Sequence, residues 1–566
     1  MSTAYQEIDC IQSGAKIHFA IDMGSRTEEN RQNQLTRRQF LEVSGASVSL
    51  GMAAEGMPAP GVVPEHRPTE DGVRKPNIIL FMPDELRAES LACYGNPVVQ
   101  TPNFDLLASE GTRFSRCSVQ YPICGASRCS LLTGWPTSVR GHRSQFYFLR
   151  PHEPNLFRYL KENGYDVVWF GKNDALDPRS FTQSVTVWNY IDGSPIPGGR
   201  GMPGNPWAFD DPRRYSFLYG EGGDRRQYLD YAHVQAAIRT LERQGNRPVC
   251  IFLALTSPHP PYSAPQGFHD KYKPADLPPL RPIGLPHKPS FFPAIREACG
   301  LGKLDAEVFR QIQAIYLGMV SYTDWLLGEL MEALERTGHA RDTALFTLSD
   351  HGDYAGDYGL VEKWPSGVED VLTRVPLIAR VPGGARGHIA EGIVELYDVM
   401  ATCLDLAGIE AQHTHFARSL TPQLHGARGD PARCAFCEGG FNTYEPQCFE
   451  PVEAPESIYH ARLKLEMDHP ETISRTAMVS TPNYKLVLRP AGQCELYDLR
   501  EDARELYNLY GEQSTRSVEE DLRARLLNWY INTTGVAPPD KDQRGAPPYI
   551  PTPSFRNPNW QRDNEV

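Results

Sequence analysis

Positive charge is the scarcer sign in this chain: 57 lysines and arginines stand against 70 aspartates and glutamates, a net charge of −13. That balance excludes a nucleic-acid surface as the main business of the fold, because a phosphate backbone is bound by a basic face. It also sets a condition: an anionic substrate needs locally concentrated positive charge, from basic side chains or from a metal. Long apolar runs are missing as well. The apolar stretch 43–54 has 12 residues, short of the roughly 20 that a membrane helix needs, and no other segment is long enough, so no transmembrane anchor is expected. Cysteine is sparse, and 12 in 566 residues exclude a dense disulfide scaffold. Cys434 and Cys437 form a lone CxxC without a second CxxC or CxxH nearby. That spacing speaks against zinc and leaves a local disulfide or two ordinary thiols. Internal repeats are absent.

The N-terminal region carries a signal. Thr36-Arg37-Arg38-Gln39-Phe40-Leu41 precedes the small-residue stretch 43–54, which ends at Ala53 and Ala54 before a Pro-rich linker. This is the shape of a twin-arginine export signal, so the export machinery is an expected partner and the location periplasmic or extracellular. That pathway carries folded protein, so a modification or a metal can be installed beforehand.

Five runs are apolar and rich in β-formers: Asn77–Met82, Asp166–Phe170, Val249–Thr256, Ala344–Leu348 and Val375–Val381. Nearly continuous hydrophobicity marks strands buried on both faces. Helical patterns lie between them, at Asn103–Glu110, Glu153–Asn163, Tyr228–Gln244 and Ala306–Thr337, and another follows the last run at Asp398–Ala407. The alternation predicts an α/β fold, a large mixed and mostly parallel sheet flanked by helices. After about residue 428 the strands shorten and a final helix follows, which predicts a smaller C-terminal α+β domain. The expected division is 1–72 export signal and linker, 73–427 α/β domain, 428–535 C-terminal subdomain and 536–566 extended tail.

The residues that follow the buried strands share a character. They are Pro83-Asp84-Glu85, Gly171-Lys172-Asn173-Asp174, Ser257-Pro258-His259 and Ser349-Asp350-His351. In an open parallel sheet ligands bind outside the carboxyl ends of the strands, so these ionisable groups predict one shared site. Asp84, Asp350 and His351 have the character of ligands for a divalent cation. Elsewhere, Ile123-Cys124-Gly125-Ala126-Ser127-Arg128 reads as a loop entering a short helix that ends at Gly134. A cysteine there sits where free N–H groups favour an anion. Composition alone fits a structural cysteine better.

The stretch from Cys124 to Gly134 resembles the signature of the formylglycine-dependent sulfatases, within the alkaline phosphatase superfamily: Cys-x-Pro/Ala-x-Arg and then Leu-Leu-Thr-Gly. The blocks Pro76–Met82 with Asp84, Cys93–Asn96, Thr101–Asp105, Ser349–Gly352, Tyr358–Leu360 with Lys363, and Glu495–Leu499 match too. The resemblance runs from about residue 75 to 535. It implies a sulfuric ester hydrolase in which a maturation enzyme oxidises Cys124 to formylglycine. One hydroxyl of the formylglycine hydrate attacks sulfur and the other expels sulfate. It implies a calcium-like divalent cation held by Asp84, Cys124, Asp350 and His351. Arg128 would steady the nucleophile, while Lys172, His259 and Lys363 would bind sulfate and help protonate the leaving oxygen. His142 is a further candidate for the pocket.

Three positions depart from the family pattern. Glu85 stands where an aspartate is frequent, which leaves its part in metal binding open. Ala126 replaces a proline and bears on how Cys124 is converted. Asp174 stands where relatives place a histidine. The expected substrate is a sulfated glycan or an aryl sulfate, with the insertion Ser194–Arg213 and aromatics such as Trp207 and Tyr215 shaping the outer pocket. Two other readings compete: a phosphonate monoester or phosphodiester hydrolase with the same site, and a non-catalytic binder of anionic glycans whose Cys124 stays a thiol.

Overall fold

The computed structural model describes residues 75–191, 194–199 and 201–536. The twin-arginine stretch, its linker and the tail from 537 onward lie outside the described residues.

The main sheet is built from β1 (Asn77–Met82), β2 (Thr112–Ser118), β3 (Asp166–Gly171), β4 (Val187–Trp188), β5 (Val249–Ala254), β6 (Thr343–Leu348), β7 (Arg374–Val375), β8 (Leu377–Arg380) and β9 (His388–Glu395). Its order is β9-β2-β8-β6-β1-β5-β3-β4, with β7 paired to β2. From β6 to β4 every neighbour is parallel. β1, β5 and β6 are buried at every position, which is why their sequences lack polar alternation. Ile79 and Phe81 face one core, with helices Leu229–Glu242 and Ala306–Thr337. Ile78, Leu80 and Met82 face the other, with helices Cys124–Thr133, Leu156–Glu162 and Asp398–Leu406. The expected layered α/β architecture is present.

The fifth apolar run, expected as one strand, is two. Pro376 has no N–H to give a ladder, and the chain divides there into β7 and β8. β8 is antiparallel to both β6 and β2. Two reversals restore direction, so β2 runs the same way as β1 and delivers its carboxyl end to the same edge. β2 and β9 escape a search for continuous apolar runs because polar positions interrupt them, as in Thr-Arg-Phe-Ser-Arg-Cys-Ser.

The C-terminal region carries an antiparallel sheet of β10 (Ala435–Gly439), β11 (Thr476–Ser480), β12 (Tyr484–Leu488) and β13 (Glu495–Asp498) in that order. Helix Arg516–Thr533 covers one face through Leu522, Leu526 and Trp529. Trp529 stacks on Phe436 with centroids 4.8 Å apart. Cys434 packs in that core, whereas Cys437 packs on the other face with Val368, Met478 and Val487. Neither is in a disulfide, and the two thiols lie on opposite faces of the sheet. Among the described residues no helix is long and apolar enough to cross a membrane.

Candidate active site

Three strand ends and one helix start converge on one edge of the sheet. After β1 the chain turns at Glu85, which has φ +65°. After β6, Asp350 Oδ1 accepts the backbone N–H groups of Glu85 at 3.2 Å and His351 at 3.0 Å. Ser349 Oγ accepts the Leu86 N–H at 2.8 Å. The ends of two neighbouring strands are thereby tied together. β3 ends at Gly171, whose φ is +108° and where a Cβ would lie 2.0 Å from the Ala254 carbonyl oxygen. Only glycine fits that close approach, and Lys172 follows it into the site. β2 leads through Val119–Ile123 into the helix that starts at Cys124. Ser127 of that helix donates to the Asp350 carbonyl at 2.6 Å.

Cys124 is fully buried. Its Sγ lies 3.2 Å from His351 Nε2, 3.5 Å from Asp84 Oδ1 and 3.5 Å from Lys172 Nζ. Burial, with the negative charge of Asp84, pushes its thiol well above the ordinary cysteine range. As a cysteine it is therefore a protonated, weak nucleophile. Arg128 spans two carboxylates, with an amino group 3.2 Å from Asp84 Oδ2 and Nε 2.8 Å from Asp350 Oδ2. Lys172 completes this half, 2.7 Å from Asp84 Oδ2 and 2.9 Å from Asp174 Oδ2.

A second cluster adjoins the first. Lys363 Nζ lies 2.5 Å from Glu85 Oε1, 2.5 Å from Glu362 Oε1 and 3.3 Å from His259 Nε2. His259 Nδ1 lies 2.6 Å from the Pro260 carbonyl, so Nδ1 carries the proton and Nε2 offers a lone pair toward Lys363. Burial, then the nearby lysine charges, pull His259 down to about 3, so it is neutral at ordinary pH. Desolvation works against the ammonium of Lys363, yet Glu362 and Glu85 hold it well above the usual lysine range.

The donor set suits a divalent cation. Asp84, Glu85, Cys124 and His351 can each offer an atom, all within 4.8 Å of one another. His351 Nδ1 is bound to the Gly352 carbonyl at 2.8 Å, which leaves Nε2 free to ligate. Glu85 Oε2 is buried and has no hydrogen-bond partner. Burial and the neighbouring carboxylates push Glu85 well above the usual range despite Lys363. A buried carboxylate oxygen without a hydrogen-bond partner, beside a second carboxylate and an imidazole, is an atom that a bound cation would satisfy. Asp350 stands beside this set with its oxygens given to Arg128 and two backbone N–H groups, whereas Glu85 stands within it.

The structure thus gathers Asp84, Cys124, Arg128, Lys172, His259, Asp350, His351 and Lys363 into one largely buried cluster. His142 is held apart: its Nδ1 meets the Tyr147 carbonyl at 2.5 Å and its Nε2 meets Glu153 at 3.1 Å. It braces the loop that carries Gln145, whose Oε1 accepts the Gly125 N–H at 2.8 Å. In the insertion, the Arg213 guanidinium lies 3.5 Å from the Trp207 ring centroid, which removes one ring face from any substrate. Sequence reasoning passed over Glu362, next to Lys363, and Arg462, which pairs with Glu362 at 2.9 Å. Adjacency to Lys363 was a signal for Glu362, but nothing local marked Arg462.

A parallel α/β sheet with cations, a nucleophile position and a metal-ready carboxylate set at its carboxyl edge defines a hydrolase of anionic esters. The sequence profile of the family described as Sulfatase matches residues 76–409. The multifunctional alkaline phosphatase superfamily protein PehA of Trinickia caryophylli is 27% identical over 516 residues, 81% of this chain and 95% of its own. Arylsulfatase K of Bos taurus is 23% identical over 519 residues, covering 87% of this chain and 89% of its own. Among solved structures, the phosphonate monoester hydrolase of Agrobacterium radiobacter superimposes with a TM-score of 0.65 at 21% identity, over 83% of this chain and 99% of that one. The chain belongs to the sulfatase family. Its enzyme class is that of the sulfuric ester hydrolases.

Proposed function

We propose that this protein hydrolyses sulfate monoesters of sugars or phenols, with Cys124 acting after oxidation to formylglycine. The carrying observation is the setting of Cys124: a buried thiol at the start of a helix, between His351, Asp84 and Lys172 at 3.2–3.5 Å. The formylglycine hydrate would supply an attacking hydroxyl and a second hydroxyl that releases sulfate. A divalent cation, calcium by its all-oxygen and imidazole setting, would be held by Asp84, Glu85, the Cys124 position and His351, with Asp350 beside them, and would supply Lewis acidity.

The chain's own residues do the rest. Arg128 fixes Asp84 and Asp350 with respect to position 124. Lys172 and Lys363 stay charged and sit on two sides of the pocket, where they neutralise the sulfuryl oxygens. This local charge lets an acidic protein bind an anion. Neutral His259 offers Nε2 to Lys363 and orients its ammonium toward the leaving oxygen. Asp174 pairs with Lys172 in place of the histidine of many relatives, so leaving-group duty falls to the Lys363 side. An active, exported enzyme would meet extracellular sulfated glycans. The Arg37-Arg38 motif supports twin-arginine export, and a double lysine substitution there should retain the protein in the cytoplasm on fractionation.

Two measurements test the reading. Peptide mass analysis of active native protein should show formylglycine at position 124, and unmodified cysteine there would sink the mechanism. Turnover should be compared on a sulfate and a phosphonate monoester with one shared leaving group. The likeness in fold to the phosphonate monoester hydrolase of Agrobacterium radiobacter brings phosphonate monoester hydrolysis as the second reading, and a preference for the phosphonate would establish it. No turnover of either ester would leave an anion-binding role.

A further inference from the structure

One side chain from a distant part of the sequence grips the loop that carries Lys363. Arg462, on helix His460–Asp468, pairs with Glu362 Oε2 at 2.9 Å and donates to the carbonyls of Val361, at 3.2 Å, and Lys363. Its guanidinium also lies 5.0 Å from the Trp364 ring centroid. Four consecutive residues, 361–364, thus meet a single buried guanidinium. A planar fork can serve that many acceptors at once, and a lysine point charge cannot.

Glu362 is held in a left-handed backbone conformation, with φ +59°. A residue with a Cβ keeps that conformation only where its surroundings over-determine it. Here the Glu362 N–H donates to the Tyr262 hydroxyl at 2.8 Å, which in turn donates to Asp353 Oδ1 at 2.7 Å. The Glu362 carbonyl accepts the Tyr354 N–H at 3.0 Å. Successive side chains of an extended chain point to opposite sides. The turn at Glu362 instead brings two neighbours together, with Glu362 Oε1 2.5 Å from Lys363 Nζ and Oε2 accepting the Lys363 backbone N–H at 3.1 Å.

An ammonium has three N–H groups to direct. Lys363 Nζ has three acceptors: Glu85 Oε1 at 2.5 Å, Glu362 Oε1 at 2.5 Å and His259 Nε2 at 3.3 Å. Glu85 also belongs to the donor set that includes Cys124, whose atoms lie within 4.8 Å of one another. Lys363 therefore stands beside the nucleophile position and shares Glu85 with it. Glu362 lies outside that donor set, and its second oxygen is taken by Arg462. It is the fixed anchor of the ammonium, where Glu85 is the shared one. Building on the sulfatase reading, we propose that Glu362, clamped by Arg462, is a positioning residue that aims the Lys363 ammonium at the reacting centre. Helix His460–Asp468 thereby reaches the reaction through two side chains.

The test is a double-mutant cycle on the full chain with phenyl sulfate as substrate: wild type, Glu362→Gln, Lys363→Ala and the double variant. Glu362→Gln keeps the shape and removes the charge. A misaimed group costs about 10- to 100-fold in rate, and that loss is expected in kcat. Taking a negative charge away from an anion site cannot weaken anion binding by Coulomb's law, so KM and inhibition by inorganic sulfate should hold or tighten. In the Lys363→Ala background the same change should cost less than about threefold, because the group it aims is gone. Glu362→Asp keeps the charge and suits a left-handed backbone, and should recover part of the lost kcat. Arg462→Lys keeps the clamp's charge without its fork, and should lose about three- to tenfold in kcat, again only where Lys363 is present. It decides the matter if Glu362→Gln does not fold. An equal loss in both backgrounds, no loss in kcat, or sulfate inhibition weakened in step with kcat would overturn the proposal. If wild type releases no sulfate from the ester, the sulfatase reading falls and this proposal with it. An active wild type whose two losses simply multiply overturns this proposal alone.

Discussion

Lys363 sets its ammonium 2.5 Å from Glu85 Oε1, within the buried pocket floor. The same ammonium meets Glu362 at 2.5 Å. One cation therefore neutralises two buried carboxylates and still faces the reacting centre. Replacing it as Lys363→Ala should lower kcat/KM by about 10²- to 10³-fold, the usual cost of removing a charged group aimed at the transition state. It should also destabilise the fold by roughly 3–5 kcal/mol, because the carboxylates are left without their partner. Lys363→Arg should not rescue activity, since a planar fork does not replace a point charge between two carboxylates. Steady-state kinetics and urea unfolding check both parts.

Glu85 adds a metal test. Its Oε2 is buried without a partner and its carboxyl belongs to the four-residue donor set. A chelator should abolish activity and lower the thermal midpoint of wild type, and added calcium should restore both. Glu85→Gln should fold but need more calcium for half-maximal reactivation, by about tenfold, as typical for a weakened ligand shell. Equal calcium dependence in the two proteins would remove Glu85 from the cation site.

Gly171 links backbone conformation to the site. Its φ of +108° and the 2.0 Å approach to the Ala254 carbonyl exclude any Cβ. Gly171→Ala must push β3 away from β5 or rebuild the turn. Either move displaces Lys172 from Asp84. Stability should fall by about 2 kcal/mol or more, and the residual activity should show a raised KM for sulfate esters. A variant with unchanged melting and KM would mean that the turn relaxes without cost.

The strand ends show why so much of this site was legible. Asp84, Lys172, His259, Asp350 and His351 each follow a buried strand, and a parallel sheet sends all those ends to one edge. Cys124 was legible through its motif, and β2 brings it to the same edge only because β8 reverses, which no local pattern revealed. Glu85 looked one methylene too long for a ligand, yet its left-handed backbone turn draws it into the donor set. Glu362 and Arg462 were illegible for a different reason. They act through contacts between segments about 100 residues apart, and no periodicity encodes such contacts.

Glu466 carries a pH prediction. It lies on helix His460–Asp468, is 8% exposed, and its carboxyl is pushed up to about 8. Burial is the first cause, and the charges of Glu450 and Glu362 add to it against Arg462. In the unfolded chain the same group titrates near 4.3. Between those two values the folded state keeps the proton and the unfolded state loses it, so stability must fall as pH rises from about 5 to 8 and level off above. The loss from this group is on the order of 3–5 kcal/mol at full development. Glu466→Gln cannot ionise, so its unfolding free energy should fall less steeply over that range. The two proteins should be similarly stable near pH 5, and the variant should be more stable near pH 9. Urea unfolding at a series of pH values measures the difference directly. Parallel pH profiles for wild type and Glu466→Gln would show that Glu466 ionises in the folded state as it does in the unfolded chain, and that helix His460–Asp468 admits water at that position.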